Sequence, residues 1–166
     1  MTDEGDATVP ILRLVLVDHG TGELLGVRAA LCGTRFEAAA PKAMKCLREA
    51  IWATRGRYDV GVAHGVSLRH DHGSQFASHA FEDELGTVGI SSSPSFVRQP
   101  EGNGCVERFI RTLKEQLLWL RRFATITELE APLREFRDRF NHHWIIGRIG
   151  YRTPAQHRRI LLGEAA

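Results

Sequence analysis

His70-Asp71-His72-Gly73-Ser74-Gln75-Phe76 and Asn103-Gly104-Cys105-Val106-Glu107-Arg108-Phe109 decide how this chain is read. Asp71 follows a short apolar run, Val60 to Leu68, which places it at or just past a strand end. Glu107 stands near the start of an amphipathic helix whose apolar stripe is Val106, Phe109, Ile110, Leu113, Leu117 and Leu120. Thirty-five residues separate the two carboxylates. Two acids on different rigid elements form half of a divalent-metal site, because hard cations prefer carboxylate oxygens. Glu107, Arg111 and Lys114, at i, i+4 and i+7, share a face distinct from the apolar stripe. That pattern suits either a salt-bridge ladder or a metal ligand followed by phosphate contacts.

Outward from this pair, the chain alternates strands and helices. Ile11 to Val17 is an apolar run broken by Arg13, Asp18 to Gly22 is turn chemistry, and Leu24 to Ala30 is a second strand. Together they predict an antiparallel hairpin. Phe36, Ala40, Ala43, Leu47, Ala50 and Ile51 then share a helical face, with Pro41 limiting how early that helix begins. Val60 to Leu68 reads as a strand, Ser78 as the N-cap of a short helix with Phe81 and Leu85 inward, and Val88 to Ile90 as a brief strand. Ser91 to Gly104, rich in serine, proline and glycine, reads as a loop. Thr127 and Glu130 form a capping-box pattern ahead of Leu129, Leu133, Phe136 and Phe140, and a last short helix follows Pro154. The expected fold class is α/β, a mixed sheet flanked by helices.

The whole chain sets bounds on this reading. Its 166 residues, 43% hydrophobic, fit one domain with a real core. No apolar run approaches the ~20 residues that span a bilayer, which predicts no membrane partner. Three cysteines, Cys32, Cys46 and Cys105, show no paired spacing and suit a reduced cytosolic setting. Residues 1–97 carry 9 Lys and Arg against 12 Asp and Glu, whereas residues 98–166 carry 13 against 8. The basic second part is a weak nucleic-acid signal, equally explained by a solvated arginine-rich surface. His70 and His72 flank Asp71, and His142-His143 reads as solvated or DNA-facing. Trp52, Trp119 and Trp144 read as core or subunit contacts.

The segment His70 to Phe76, the interval to Glu107 and Lys114 seven residues further on resemble the catalytic core of insertion-sequence transposases and retroviral integrases. The resemblance continues through Pro100-Glu101-Gly102-Asn103-Gly104, Phe140-Asn141 and Gly150-Tyr151-Arg152-Thr153-Pro154, and covers essentially residues 11–160. It implies a ribonuclease H-like fold and an Asp-Asp-Glu site binding two Mg²⁺ or Mn²⁺ ions for DNA strand cleavage and transfer. Asp71 and Glu107 carry over as catalytic ligands. Lys114, Arg111, Arg108 and Asn103 would line the DNA side, with the implied partners being transposon ends, target DNA and further copies of the chain.

The resemblance also places a first aspartate on an opening strand. Asp18, in Val17-Asp18-His19, matches a later position and reads as a turn or capping residue. Counting back from it reaches Met1, so Asp3 is the acid available as a third metal ligand. The chain is accordingly expected to lack the first family strand and the upstream DNA-binding helices. Residues 1–10 would be an acidic segment, 11–160 the integrase core and 161–166 a tail. Two rivals stand beside the catalytic reading: an inactive remnant that binds DNA or partner subunits, and a nuclease that hydrolyses without joining.

Overall fold

Pro10–Val17 (β1) and Leu24–Leu31 (β2) pair antiparallel, as the apolar runs and intervening turn predict. The computed structural model describes residues 10–31, 36–71, 76, 78–94 and 104–164. The turn is closed by Asp18, whose carboxylate accepts from Gly20 N at 3.0 Å and from Thr21 Oγ1 at 2.6 Å. This is the turn role expected of Asp18.

Side-chain alternation along β1 divides the core in two. Leu14 and Leu16 pack against a cluster built by Phe36–Arg55 (α1) and His79–Val88 (α2), including Leu47, Ile51, Phe81 and Leu85. Val15 and Val17 pack on the opposite side, against Gly104–Leu113 (α3) and Ile126–His143 (α4). There Phe109 meets Phe140 edge-on at 5.1 Å, and Phe136 lies 6.1 Å from Phe109. Ala43, Leu47, Ala50 and Ile51 form the buried face predicted for α1, while the side chains of Phe36 and Ala40 fall outside those described.

Arg28 on β2 ties both layers to the hairpin, pairing with Glu49 of α1 and with Glu130 of α4 at 3.5 Å. The Asn141 carboxamide at the end of α4 makes a two-point clamp. Its Oδ1 accepts from Leu24 N at 2.8 Å and its Nδ2 donates to Leu24 O at 3.0 Å.

The second sheet, Ser67–His70 (β3) paired parallel with Ser91–Pro94 (β4), departs from the sequence reading. Val60 to Gly65 is a turn, because Gly61 N and Ala63 N both bond at 2.9 Å to the carbonyls of Thr87 and Val88 at the end of α2. Val60 is consequently 85% exposed, and the strand begins only at Ser67. Val88 to Ile90 is no strand. Val88 closes α2, and Gly89 at φ +81° forms its left-handed cap while Ile90 N bonds back to Leu85 O at 2.9 Å. The strand instead occupies Ser91–Pro94, inside the stretch read as a loop; residues 95–103 lie outside the described residues. Ser78 caps α2 as expected, accepting from Phe81 N at 3.3 Å.

Two further boundaries shift. The cap of α4 is Thr125 rather than Thr127, since Thr125 Oγ1 accepts from Glu128 N at 3.2 Å and Glu128 reaches back to Ala124 N at 2.9 Å. After α3, Lys114–Leu118 forms a π-helical turn, with Trp119 N bonding to Lys114 O. The wider turn rotates the residues C-terminal to it. Leu120, expected inward, is exposed, as is Trp119, read as a core or subunit contact. Trp52 is exposed as well, whereas Trp144 stacks on Phe140 at 6.1 Å. Pro154–Leu161 (α5) follows a capping box between Thr153 and Gln156, the helix expected after Pro154.

α1 crosses β2 where Gly26 faces Cys46. A Cβ at Gly26 would collide with Cys46 Sγ. Burial pushes that thiol up to about 11, so it acts as a protonated apolar group. Gly26→Ala is expected to destabilise the fold by about 1–3 kcal/mol in urea unfolding through overpacking. Adding Cys46→Ala should recover most of that loss, and strictly additive losses would contradict this packing.

Candidate functional site

Asp71 lies one residue beyond β3, at the strand end where the sequence reading puts it, and is exposed. The preceding His70 fixes the local geometry. Its Nδ1 lies 2.7 Å from Asp71 O, its Nε2 lies 2.9 Å from Ser92 Oγ on β4, and its ring sits 5.0 Å from that of Phe76. The imidazole thus ties the Asp71 backbone to the β4 strand. His72 to Gln75 lie outside the described residues.

Glu107 sits in the first turn of α3, where the positive end of the helix dipole favours a carboxylate. It is exposed, as are Arg108, Arg111 and Lys114 along the same helix. Arg111 is engaged at 2.9 Å by Glu115, a residue outside the expected Glu107, Arg111 and Lys114 set. Asn103 and Asp3 lie outside the described residues. Among the described residues, no three His, Cys, Asp or Glu side chains come together as a metal site.

The elements that carry the two acids border one cleft of about 710 Å³, lined by Ser67 to Arg69 of β3, Val106 of α3, Val15 to Asp18, and Leu47 and Ile51 of α1. Two charged residues there escaped the sequence reading. Glu23 is buried and pairs with Arg158 of α5 at 3.3 Å. Burial raises the Glu23 pKa, the nearby Arg158 guanidinium opposing it. A lone acid directly before the apolar Leu24-Leu25 was the available signal, but its partner lies 135 residues away.

The sequence has relatives in keeping with this architecture. Residues 88–154 match the integrase core domain model. Over 91 residues the chain is 30% identical to the putative transposase InsK for insertion sequence element IS150 of Escherichia coli (strain K12), covering 55% of this chain and 32% of that protein. It is 29% identical to the transposase for insertion sequence element IS904 of Lactococcus lactis, covering 54% and 36%. An uncharacterized transposase-like protein of Haemophilus influenzae is also 29% identical, at 55% and 42% coverage. These matches span between 32% and 42% of the curated relatives' own length.

Among solved structures, a chain of the simian T-cell lymphotropic virus intasome in complex with PP2A regulatory subunit B56 gamma superposes with a TM-score of 0.59 at 21% identity. That alignment covers 86% of this chain and 46% of that one. The catalytic core domain of BIV integrase superposes with a TM-score of 0.51 at 23% identity, covering 86% and 81%. The fold is that of integrase catalytic cores, ribonuclease H-like. Sequence and fold agree in their resemblance to a transposase/integrase catalytic core. No helix among the described residues is long and apolar enough to cross a membrane.

The Glu23 shift makes a testable statement about stability. A carboxyl whose folded pKa is raised binds its proton more tightly in the folded state, so ionising it costs stability as pH rises through the unfolded value of 4.5. Glu23→Gln should therefore gain on the parent, in denaturant-unfolding free energy, between acidic and neutral pH. A variant that loses ground over that interval would show the Arg158 pairing outweighing burial.

Proposed function

We propose that this transposase/integrase-type core cleaves DNA strands and joins a 3′-hydroxyl end to target DNA, with Mg²⁺ or Mn²⁺ bound. The observation that supports this reading is the position of two acids, Asp71 just beyond a strand end and Glu107 in a helix first turn, in a chain whose fold is that of integrase cores. Both groups are hard oxygen donors of the kind these cations take, one just past a strand and one on a helix, and both are open to solvent. They are the residues that would hold metal, with Asp3 as the further acid suggested by sequence. Bound metal would activate the attacking oxygen and stabilise the leaving one. Lys114, Arg108 and Arg111 would bear on phosphates, and Asn103 would border the substrate. Residues 11–160 would form the core, flanked by the segments 1–10 and 161–166. Its DNA partners would be element ends and target, handled by several copies of the chain.

The sequence also admits a second reading. On this reading the chain binds DNA or partner subunits without chemistry. One set of measurements separates the two. With Mg²⁺ or Mn²⁺ and element-end DNA, the parent should produce cleaved and joined strands, whereas Asp71→Asn and Glu107→Gln should each lower the rate at least roughly 100-fold, more than an outer-shell change costs. Salt-sensitive, metal-independent binding with no cleavage by the parent would establish the non-catalytic reading. Hydrolysis without joining would establish a nuclease.

DNA affinity gives an independent check on the basic face. Lys114→Ala should weaken binding about equally across sequences and reduce the slope of log affinity against log salt by about 1, the loss of one phosphate contact. An unchanged slope would remove Lys114 from the interface.

A further inference from the structure

We propose that Tyr151 is a stacking platform for an unpaired DNA base, presented by the loop between α4 and α5 with arginines beside it for the flanking phosphates. The starting observation is backbone strain. Tyr151 lies at φ +57°, and every other described residue at positive φ is a glycine. The left-handed region crowds Cβ against the backbone, so a bulky side chain is rare there. Glycine would hold the same turn with less strain.

The turn is fixed without help from the ring. Ile146 N donates to Arg152 O at 3.0 Å, Tyr151 N to Ile146 O at 3.1 Å and Gly150 N to Gly147 O at 3.1 Å. Ile149 before the tyrosine and Thr153 after it are buried and anchor the loop at both ends. The Tyr151 side chain is 81% exposed, and among the described residues it forms no hydrogen bond and no cation contact. Its ring edge passes beside Gly147, where a Cβ would stand 3.7 Å from Cε1, so that flank carries no side chain. A residue that is strained yet buries nothing adds little to the fold. Strain of this kind persists where the presented group has a function.

Charge names the class of ligand. Between Asp138 and Glu164 the chain carries five arginines, three histidines and no acid. Arg148 and Arg152 stand on either side of Tyr151 in this run. Arg148 Nη1 donates to His19 O at 3.0 Å and Arg152 Nη1 to Ile149 O at 3.5 Å. Each guanidinium is tied to a carbonyl oxygen and keeps further N–H donors. Two acids belong to the β1–β2 turn that Arg148 reaches, and both are engaged, Asp18 by Thr21 and Glu23 by Arg158. A bare aromatic ring among uncompensated arginines suits a polymer that alternates flat bases with phosphates. An acidic peptide would answer the arginines and leave the faces of the ring unused.

The base has to be unpaired. Inside a duplex both faces of a base are covered by its neighbours, and a surface side chain reaches only phosphates and groove edges. The inference rests on the reading that this chain acts on DNA, and it needs neither metal nor cleavage.

The test measures binding of the whole chain to a short single strand carrying 2-aminopurine, whose fluorescence falls on stacking, and to the same sequence as a blunt duplex. Tyr151→Ala and Tyr151→Gly should each weaken single-strand binding at least about fivefold and restore the fluorescence of the bound strand. Duplex affinity should change less than about twofold, because its contacts are to phosphates. Tyr151→Phe should keep affinity and quenching, since the ring face is used and the hydroxyl is not. Tyr151→Gly should unfold at the same or a higher urea concentration than the parent, because the turn is relieved. Unfolding at lower urea together with lost affinity would give the ring a structural role and overturn the proposal. Equal losses on strand and duplex, or an alanine variant that binds the strand as the parent does, would overturn it and leave DNA binding in place. A parent that binds neither form of DNA would remove the DNA reading as well. Self-association of the parent that Tyr151→Ala abolishes, with no effect on the strand, would assign the ring to a second copy.

Discussion

The Asn141 carboxamide answers both backbone groups of Leu24, and the placement of α4 against the hairpin rests on that clamp. An amide offers a donor and an acceptor side by side, so it can stand in for the next strand at the edge of a sheet. Leu24 has no exposed surface, and an unanswered N–H or C=O there would carry a desolvation cost of about 1–3 kcal/mol. Satisfying both groups from α4 fixes the helix in register with β2. The register in turn presents Leu129, Leu133, Phe136 and Phe140 to Leu24 and Ala29 on one side, with α3 completing the cluster through Phe109 and Leu113. Arg28, forked between Glu49 and Glu130, repeats the logic at the charged level, joining α1 and α4 through the same strand.

The elements legible in the sequence are those whose signal is local. The hairpin, α1 and the inward face of α4 all announce themselves through periodicity, and Ser78 and Asp18 through side chains that bond within three residues. What was misplaced depends on distant partners. Val60 to Gly65 has the composition of a strand, but its N–H groups bond to carbonyls at the end of α2, which no window over the segment can show. Ser91–Pro94 has the composition of a loop and becomes a strand only because β3 offers it a ladder. The π turn after Leu113 has a similar character. Its sequence continues the apolar stripe, and only the structure shows that Leu120 has left it.

The candidate site divides along the same line. Asp71 and Glu107 were readable because their positions, at a strand end and in a helix first turn, derive from the adjacent apolar patterns. Glu23 and Arg158 were not, since a lone acid before Leu24 hints at a buried carboxylate but cannot name a partner 135 residues away. Edges behave like the ion pair. Nothing in the residues of β1 says that its second neighbour is missing among the described strands, and its apolar run, broken only by Arg13, suggests the contrary.

The basic face of α3 shows how far sequence spacing carries an electrostatic argument. Glu107, Arg111 and Lys114 share a helical face by arithmetic alone, which treats both cations as equal candidates for phosphate. The structure makes them unequal. Arg111 is held by Glu115 one turn further on, so contact with DNA would first require that pair to open, and the freed Glu115 would stand beside the phosphate. Lys114 has no ion pair among the described residues, and it opens the wider turn that follows α3, with its ammonium in solvent. An exposed ion pair is weakly held and yields to a stronger anion, so Arg111 remains able to engage. Lys114 would do so without that exchange. The difference ranks Lys114 ahead of Arg111 as the proposed phosphate contact, although guanidinium geometry alone would favour the arginine.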